Sequence, residues 1–300
     1  MRLVFSLALL GGLWAAALAQ PPGGASMQST EAHKLGWKFK PKDRFQVETT
    51  MQMLQLRRAL GQMDAQDALQ IVTTSTFTVQ QVEADKSAVL QQKIEAVRYR
   101  MDGTIPASAA AAAELFTRLK GASFTLTLGP EGKVRKFEGY TEFIKRLDQQ
   151  RPGDGQAFSQ QVPEEDMKNA SEEGFALFPD RPLRQGDTWE RPSTVNLAPF
   201  GAIQTKLIYT LQAFQGSKAR ITFKHQGSEF KDASGRGADF VLEDRSGTIY
   251  FDVEAGRLIS MDFKVRFNGR VSSAVTTQAG LVPMDFFQQQ VVRLQVRSLR

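Results

Sequence analysis

Phe45-Gln46-Val47-Glu48-Thr49-Thr50-Met51-Gln52-Met53 decides how this chain folds, because two sets of side chains alternate along it. Phe45, Val47, Thr49, Met51 and Met53 fall on one side of an extended chain, and Gln46, Glu48, Thr50 and Gln52 on the other. A period of two puts one set on the buried face of a sheet and leaves the other face polar. Leu69, Ile71, Thr73, Ser75, Phe77 and Val79 repeat the pattern, and Ala88 to Tyr99 continues it less cleanly, as through a bulge. Phe124, Leu126 and Leu128 run into the turn Gly129-Pro130-Glu131-Gly132 and on to Val134 and Phe137, which reads as a hairpin. Past Pro182, strands are expected at Ile203 to Phe214, Ala219 to His225, Ala238 to Glu243, Thr248 to Val253 and Leu258 to Phe267. At the end, Val292, Leu294 and Val296 alternate with Arg293, Gln295 and Arg297.

The middle of the chain changes period. Tyr140, Phe143, Ile144 and Leu147 form one helical stripe. Pro163 followed by Glu164, Glu165 and Asp166 starts a second helix running to about Phe175, with proline in the first turn and acids at the positive end of the dipole. Ser108 to Leu119, rich in alanine, is a third candidate. Arg151-Pro152-Gly153-Asp154-Gly155 reads as a linker between the first two. Many strands, short turns and few helices predict a mainly β (α+β) fold of curved antiparallel sheets with two or three helices packed on them.

The two halves echo each other. Lys40-Pro41-Lys42-Asp43-Arg44-Phe45 and Arg184-Gln185-Gly186-Asp187-Thr188-Trp189 share a basic residue, an aspartate and an aromatic two further on. Phe124 to Phe137 likewise matches Ile249 to Met261, around turns holding Gly132 and Gly256. The first half has about twenty more residues between these landmarks, which a 59–68 loop and the alanine-rich segment would supply. Asp43 and Asp187 are expected to accept backbone N–H bonds in turns, with the aromatics anchoring strands in the core.

The first nineteen residues have the layout of a secretory signal peptide: Arg2, an apolar run from Leu3 to Leu18, and the small-x-small site Ala17-Leu18-Ala19. The rival reading is an uncleaved anchor; against it, the run is short for a span of ~20 residues and lacks a basic stop-transfer flank. The expected organisation is a signal peptide (1–19), a flexible leader (20–34) rich in Pro, Gly, Ser and Gln, a first β-rich half (35–150), a helical connector (151–182) and a second β-rich half (183–300). This predicts a periplasmic or secreted protein without a stable membrane span after cleavage.

The chain has no cysteine, which removes disulfides, thiolate metal sites and a lipid-modified cysteine anchor. Stability must come from a hydrophobic core, for which about 280 residues after cleavage suffice. A formal charge of +6, spread among acids, is a solvated mixed surface rather than a nucleic-acid footprint.

No catalytic, cofactor or metal residue emerges. The two histidines, His33 and His225, lie beside the leader and at a strand end, and there is no zinc-protease, nucleophile-elbow, phosphate-loop or dinucleotide pattern. Glu164-Glu165-Asp166 and Glu172-Glu173 read as a solvated helix face. Asp239, Glu243 and Asp244 sit near a turn, on opposite sides of a strand. Phenylalanine outnumbers tyrosine and tryptophan, 21 against 4 and 3, which fits a dry core or a dry pocket better than a sugar- or base-stacking surface. Phe175, Phe178, Phe286 and Phe287 are the candidate lining of a ligand site between helices and sheet.

Leu35-Gly36-Trp37-Lys38-Phe39-Lys40-Pro41-Lys42-Asp43-Arg44-Phe45 resembles the opening of a family of exported bacterial proteins of unknown function, abundant in planctomycetes. Their leucine-x-tryptophan-x-phenylalanine start leads to Gly-Asp-x-aromatic, and here Lys42 stands in the glycine's place. Phe178-Pro179-Asp180-Arg181-Pro182-Leu183-Arg184-Gln185-Gly186-Asp187-Thr188-Trp189 resembles that family's second signature. The resemblance covers nearly all of the mature chain. It implies export and a β-rich repeat architecture, and brings no activity and no functional residue. The architecture is also similar to the half-barrel of periplasmic lipoprotein carriers, an analogy of fold alone.

These readings converge on an exported, non-catalytic envelope protein that holds an apolar or lipid-like ligand between sheet and helices. The alternative is a structural or assembly protein whose partner is another envelope protein, and third comes a hydrolase with a carboxylate-based site.

Overall fold

The alternating segments build eleven strands: β1 (Arg44–Ala59), β2 (Gln62–Val82), β3 (Ala88–Gly103), β4 (Ser123–Leu128), β5 (Val134–Glu138), β6 (Thr188–Asn196), β7 (Gly201–Gln215), β8 (Lys218–Asp232), β9 (Ala238–Asp252), β10 (Arg257–Thr277) and β11 (Gly280–Leu299). The computed structural model describes residues 31–59, 62–103, 114–197, 200–235, 237–277 and 280–299. The predicted signal segment 1–19 and residues 20–30 of the leader lie outside these, as do residues 108–113 of the alanine-rich segment, whose 114–117 are helical.

Among the described residues all eleven strands belong to one antiparallel sheet in the order β5-β4-β3-β2-β1-β11-β10-β9-β8-β7-β6. Strands consecutive in the chain pair, except β5 and β6, which form the two edges, and the first and last strands meet in the middle, where β1 runs against β11 from Arg44↔Leu299 to Ala59↔Met284. An open sheet of this many strands curls. One core cluster accordingly holds Leu126 and Val134 from one end of the sheet together with Trp189 and Tyr209 from the other. Two further clusters line the inner face: one under β1 to β4 with the helices, and one of β6, β7 and β9 to β11 with Leu197 and Phe200.

Between β5 and β6 the chain forms α1 (Tyr140–Gln150), α2 (Asp154–Gln161) and α3 (Glu164–Phe175). α1 buries Tyr140, Phe143 and Leu147, the stripe expected from their spacing. α3 bridges the two edges of the sheet. Glu172 accepts the backbone N–H of Val134 on β5 at 2.9 Å, while Glu173 accepts the Ser193 hydroxyl of β6 and pairs with Arg245 of β9 at 2.8 Å. Asp166 accepts from Asn196 Nδ2 at 2.8 Å. The acids expected on a solvated helix face are thus in part the pins that fix the helix to the sheet.

Other expectations are corrected. Residues 62–68 are strand rather than loop: β2 begins at Gln62 and pairs with β1, with an Arg57–Asp67 ion pair across the two strands. The 151–155 linker is shorter than expected, because Asp154 already starts α2, which Phe158 anchors in the core. Residues 188–196, where the sequence predicts no strand, form β6; Pro192 is tolerated there because β6 is an edge.

The echoing turns are built alike. The Asp43 N–H donates to Lys40 O and its carboxylate accepts the Lys40 N–H, both at 3.0 Å, and Asp187 does the same with Arg184, also at 3.0 Å. Lys42 N–H reaches Val79 O at 2.8 Å, and Gly186 N–H reaches Leu211 O at 2.7 Å. Lys42 and Gly186 both have positive φ, 71° and 90°, so Lys42 occupies a backbone position that favours glycine.

Candidate functional site

The described chain already pairs with the rest of the fold at His33. His33 and Leu183 exchange backbone hydrogen bonds at 2.9 and 2.8 Å, and the His33 ring lies 4.5 Å from that of Phe214. From there Leu35 to Phe39 crosses the inner face of the sheet as a strap. Its ties are the Lys38 N–H to Gly256 O at 3.0 Å and the Trp37 indole N–H to the Phe175 carbonyl at 2.7 Å. Alternation turns both Trp37 and Phe39 inward.

Under the strap the sheet and α3 leave an aromatic pit of about 30 Å³, lined chiefly by Trp37, Phe39, Phe45, Phe77, Phe175 and Leu294. Phe45 and Phe77 face each other across β1 and β2 and stack at 5.1 Å. Trp37 stacks on Phe39 at 5.6 Å. Phe175, at the end of α3, meets Phe77 edge-on at 6.0 Å and Trp37 at 5.2 Å. The one charged side chain of the lining, Arg257, is engaged at the rim by Asp43 at 2.6 Å and by the Ser298 hydroxyl at 3.0 Å. The rings offer dispersion contacts and no hydrogen bonds, which suits a small apolar group. A water occupies at least ~10–15 Å³ on this measure, whereas sites for whole small molecules span ~300–1,000 Å³. The pit therefore has room for the end of a chain, not for a whole ligand.

Of the four phenylalanines proposed from the sequence, Phe175 lines the pit. Phe178 belongs to the same core cluster but packs edge-on against Phe251 at 4.5 Å. Phe286 lies in a different cluster, with Phe200 and Phe240 at 5.6 and 6.1 Å. Phe287, the next residue on β11, is half-buried and faces away from Phe286. The structure does not bring the four together. Trp37, Phe39, Phe45 and Phe77 complete the pit instead; the alternating Trp37-Lys38-Phe39 was the available signal.

Several of the titratable groups singled out from the sequence have structural partners. His225 Nδ1 accepts the Arg245 backbone N–H at 3.0 Å. Glu243 and Asp244 pair with Arg266 and Lys264 of β10 at 2.6 and 2.7 Å. Tyr140 and Tyr209 are both pushed up to about 12, mainly by burial and secondarily by nearby acids, among them Glu164 and Glu173 respectively; Tyr140 donates to Val162 O at 2.7 Å. Burial also raises the Asp166 and Asp262 carboxyls above the usual range. Among the described residues no group of three or more His, Cys, Asp or Glu side chains is placed to hold a metal ion, and no helix is long and apolar enough to cross a membrane.

The pattern of a family of unknown function (DUF6263) matches residues 74–256. No curated protein matches the chain. Among solved structures, one of lipid–protein interactions in lipovitellin is similar at a TM-score of 0.45 and 9% identity, covering 88% of this chain and 26% of that one. The chain thus spans about a quarter of the length of that lipovitellin chain. An outer membrane channel from Pseudomonas putida F1 gives a TM-score of 0.24 at 10% identity, covering 87% and 97% of the two chains. The outer membrane protein OprG from Pseudomonas aeruginosa gives 0.22 at 6%, covering 89% and 98%. None of the three reaches a TM-score of 0.5, so none bears on what this chain does.

Proposed function

The chain belongs to the DUF6263 family, a family of unknown function, and we propose that it is an exported, non-catalytic binding protein that takes the end of an apolar, lipid-like chain into the aromatic pit. One observation carries this reading: the pit is walled by aromatic and aliphatic side chains from the strap, the sheet and α3, and the only cation in its lining among the described residues is paired with Asp43. An apolar group entering it loses contact with water and leaves no polar group without a partner. Export rests on the signal layout of residues 1–19, and a protein recovered outside the cytoplasm should begin at Gln20 by N-terminal sequencing. The two β-rich halves, 35–150 and 183–300 around the connector 151–182, are the proposed repeat, supported by the like-built turns at Asp43 and Asp187.

Titration with lauric acid tests the reading. Trp37 emission should change in a saturable way, and Trp37→Phe should abolish the change while Trp189 remains as an internal reference. Saturable binding that leaves Trp37 emission unaltered would remove the pit from the account. The small volume favours a second reading, in which an apolar side chain of another envelope protein fills the pit; a protein partner captured in place of lipid, and lost in Phe175→Ala, would support it.

A further inference from the structure

The inner face of β1 changes chemistry along its length. Phe45, Val47, Met51 and Met53 give way to Gln55 and Arg57, which are equally buried. The register sets Gln288 of β11 and Asp67 of β2 directly opposite Gln55, one on each side. Asp67, Gln55 and Gln288 therefore form one row across three strands, with neighbouring Cβ atoms about 4.5–5.5 Å apart. Arg57 stands next along β1 on the same face. All four are at most 5% exposed.

Their internal bonds do not use up their capacity. Arg57 Nη2 pairs with Asp67 Oδ2 at 2.8 Å, and Gln55 Nε2 donates to Gln288 Oε1 at 2.9 Å. Among the described residues, Arg57 Nε, Asp67 Oδ1 and Gln288 Nε2 find no partner. A buried donor or acceptor left unpaired costs more than a typical hydrogen bond returns, and a buried ion pair stabilises no better than apolar residues of the same volume. The rows on either side are more apolar: Met53 and Leu69 stand on one side, with Gln290 opposite Met53, and Met284 and Phe286 on the other.

We propose that this row, with Arg57, is a binding subsite for the hydroxyl group of an apolar alcohol. The Arg57–Asp67 pair is neutral as a unit, so a carboxylate would face Asp67 and an ammonium would face Arg57. A hydroxyl oxygen can accept from both the Arg57 Nε–H and the Gln288 Nε2–H and donate its proton to Asp67 Oδ1. The row is eight residues along β1 from Val47, about 26 Å at the rise of a strand, so it is separate from the aromatic pit and does not rest on it.

The test uses the full chain with 15N-labelled arginine and glutamine, 1-decanol as probe and decane as control. Decanol should shift the Arg57 Nε–H and Gln288 Nε2–H resonances, and decane should leave them in place. Gln288→Leu, which removes one donor, should weaken decanol binding about tenfold with the fold intact by thermal melting. Gln288→Glu, close in shape, should lose binding as well and serves if the leucine variant does not fold. The proposal is overturned if decanol leaves both resonances unmoved, if decane moves them equally, or if both variants bind decanol as the parent does. In the last case the row only pins β11 and β2 in register on β1. Trp37 emission reports the pit separately, so failure at one site is not confused with failure at the other.

Discussion

Replacing Phe175 by alanine probes the pit most sharply, because it removes one wall and leaves the frame. The Phe175 ring is buried and lies 5.2, 6.3 and 6.0 Å from the rings of Trp37, Phe39 and Phe77. Its backbone carbonyl, which accepts the Trp37 indole N–H, survives the substitution. Buried Phe→Ala changes cost about 3–5 kcal/mol, more where the surroundings cannot collapse into the space. Phe45 and Phe77 are held by paired strands and Phe39 by its stacking on Trp37, so a loss near 4 kcal/mol is expected. In a chain of this length that lowers the melting temperature by roughly 8–16 °C at ~2–4 °C per kcal/mol. The enlarged pit should stay dry and bind a small aromatic such as benzene. At ten times its dissociation constant, benzene should restore about 1.4 kcal/mol. Urea unfolding followed by tryptophan emission, with and without benzene, reads both effects. A loss below about 1 kcal/mol with no response to benzene would refute the reasoning, since rings that close over the gap do not form a preorganised pit.

Three further outcomes are expected. Gly132→Ala places a residue with a Cβ at φ +82°, where that Cβ would run into the Phe175 carbonyl; the backbone alone costs about 1–2 kcal/mol, so urea unfolding should show at least that loss. Burial raises the Asp166 carboxyl, against the bond from Asn196. Its folded state therefore holds a proton more tightly than the unfolded chain, and stability falls as pH rises from the ordinary carboxylate value through the folded one. Asp166→Asn should be at least as stable as the parent at pH 7, with the advantage gone at pH 3, by urea midpoints across that range. Asp187 is lowered first by the Arg184 backbone N–H and then by the Arg181 side chain, so its contribution is present above the usual carboxylate value and lost as pH falls through the folded one. Carbon-13 titration should find it below ~3.9, and Arg181→Ala should raise it only part of the way.

The strands were legible where one face is buried and the other wet, as at Phe45 to Met53. They were not where the structure demands an exception. β9 reads as two strands, Ala238 to Glu243 and Thr248 to Val253, with a turn between them, yet Gly247 lies inside one paired strand; a Cβ there would strike the Asp262 carbonyl and the Phe263 side chain. Glu172 and Glu173 read as solvent-facing because their partners, Val134, Ser193 and Arg245, are remote in sequence. The candidate site was legible only at Phe175. Phe286 and Phe287 are adjacent on a strand, so at most one of them can face a given pocket. Phe45 and Phe77, distant in sequence, become neighbours only through the β1–β2 register.

Native mass spectrometry of the protein recovered from exporting cells tests the central claim most directly. The protein should be heavier than the processed chain by one apolar molecule, which is released on denaturation and whose readdition changes Trp37 emission. A bare chain, together with lauric acid that leaves Trp37 emission unaltered, would contradict it.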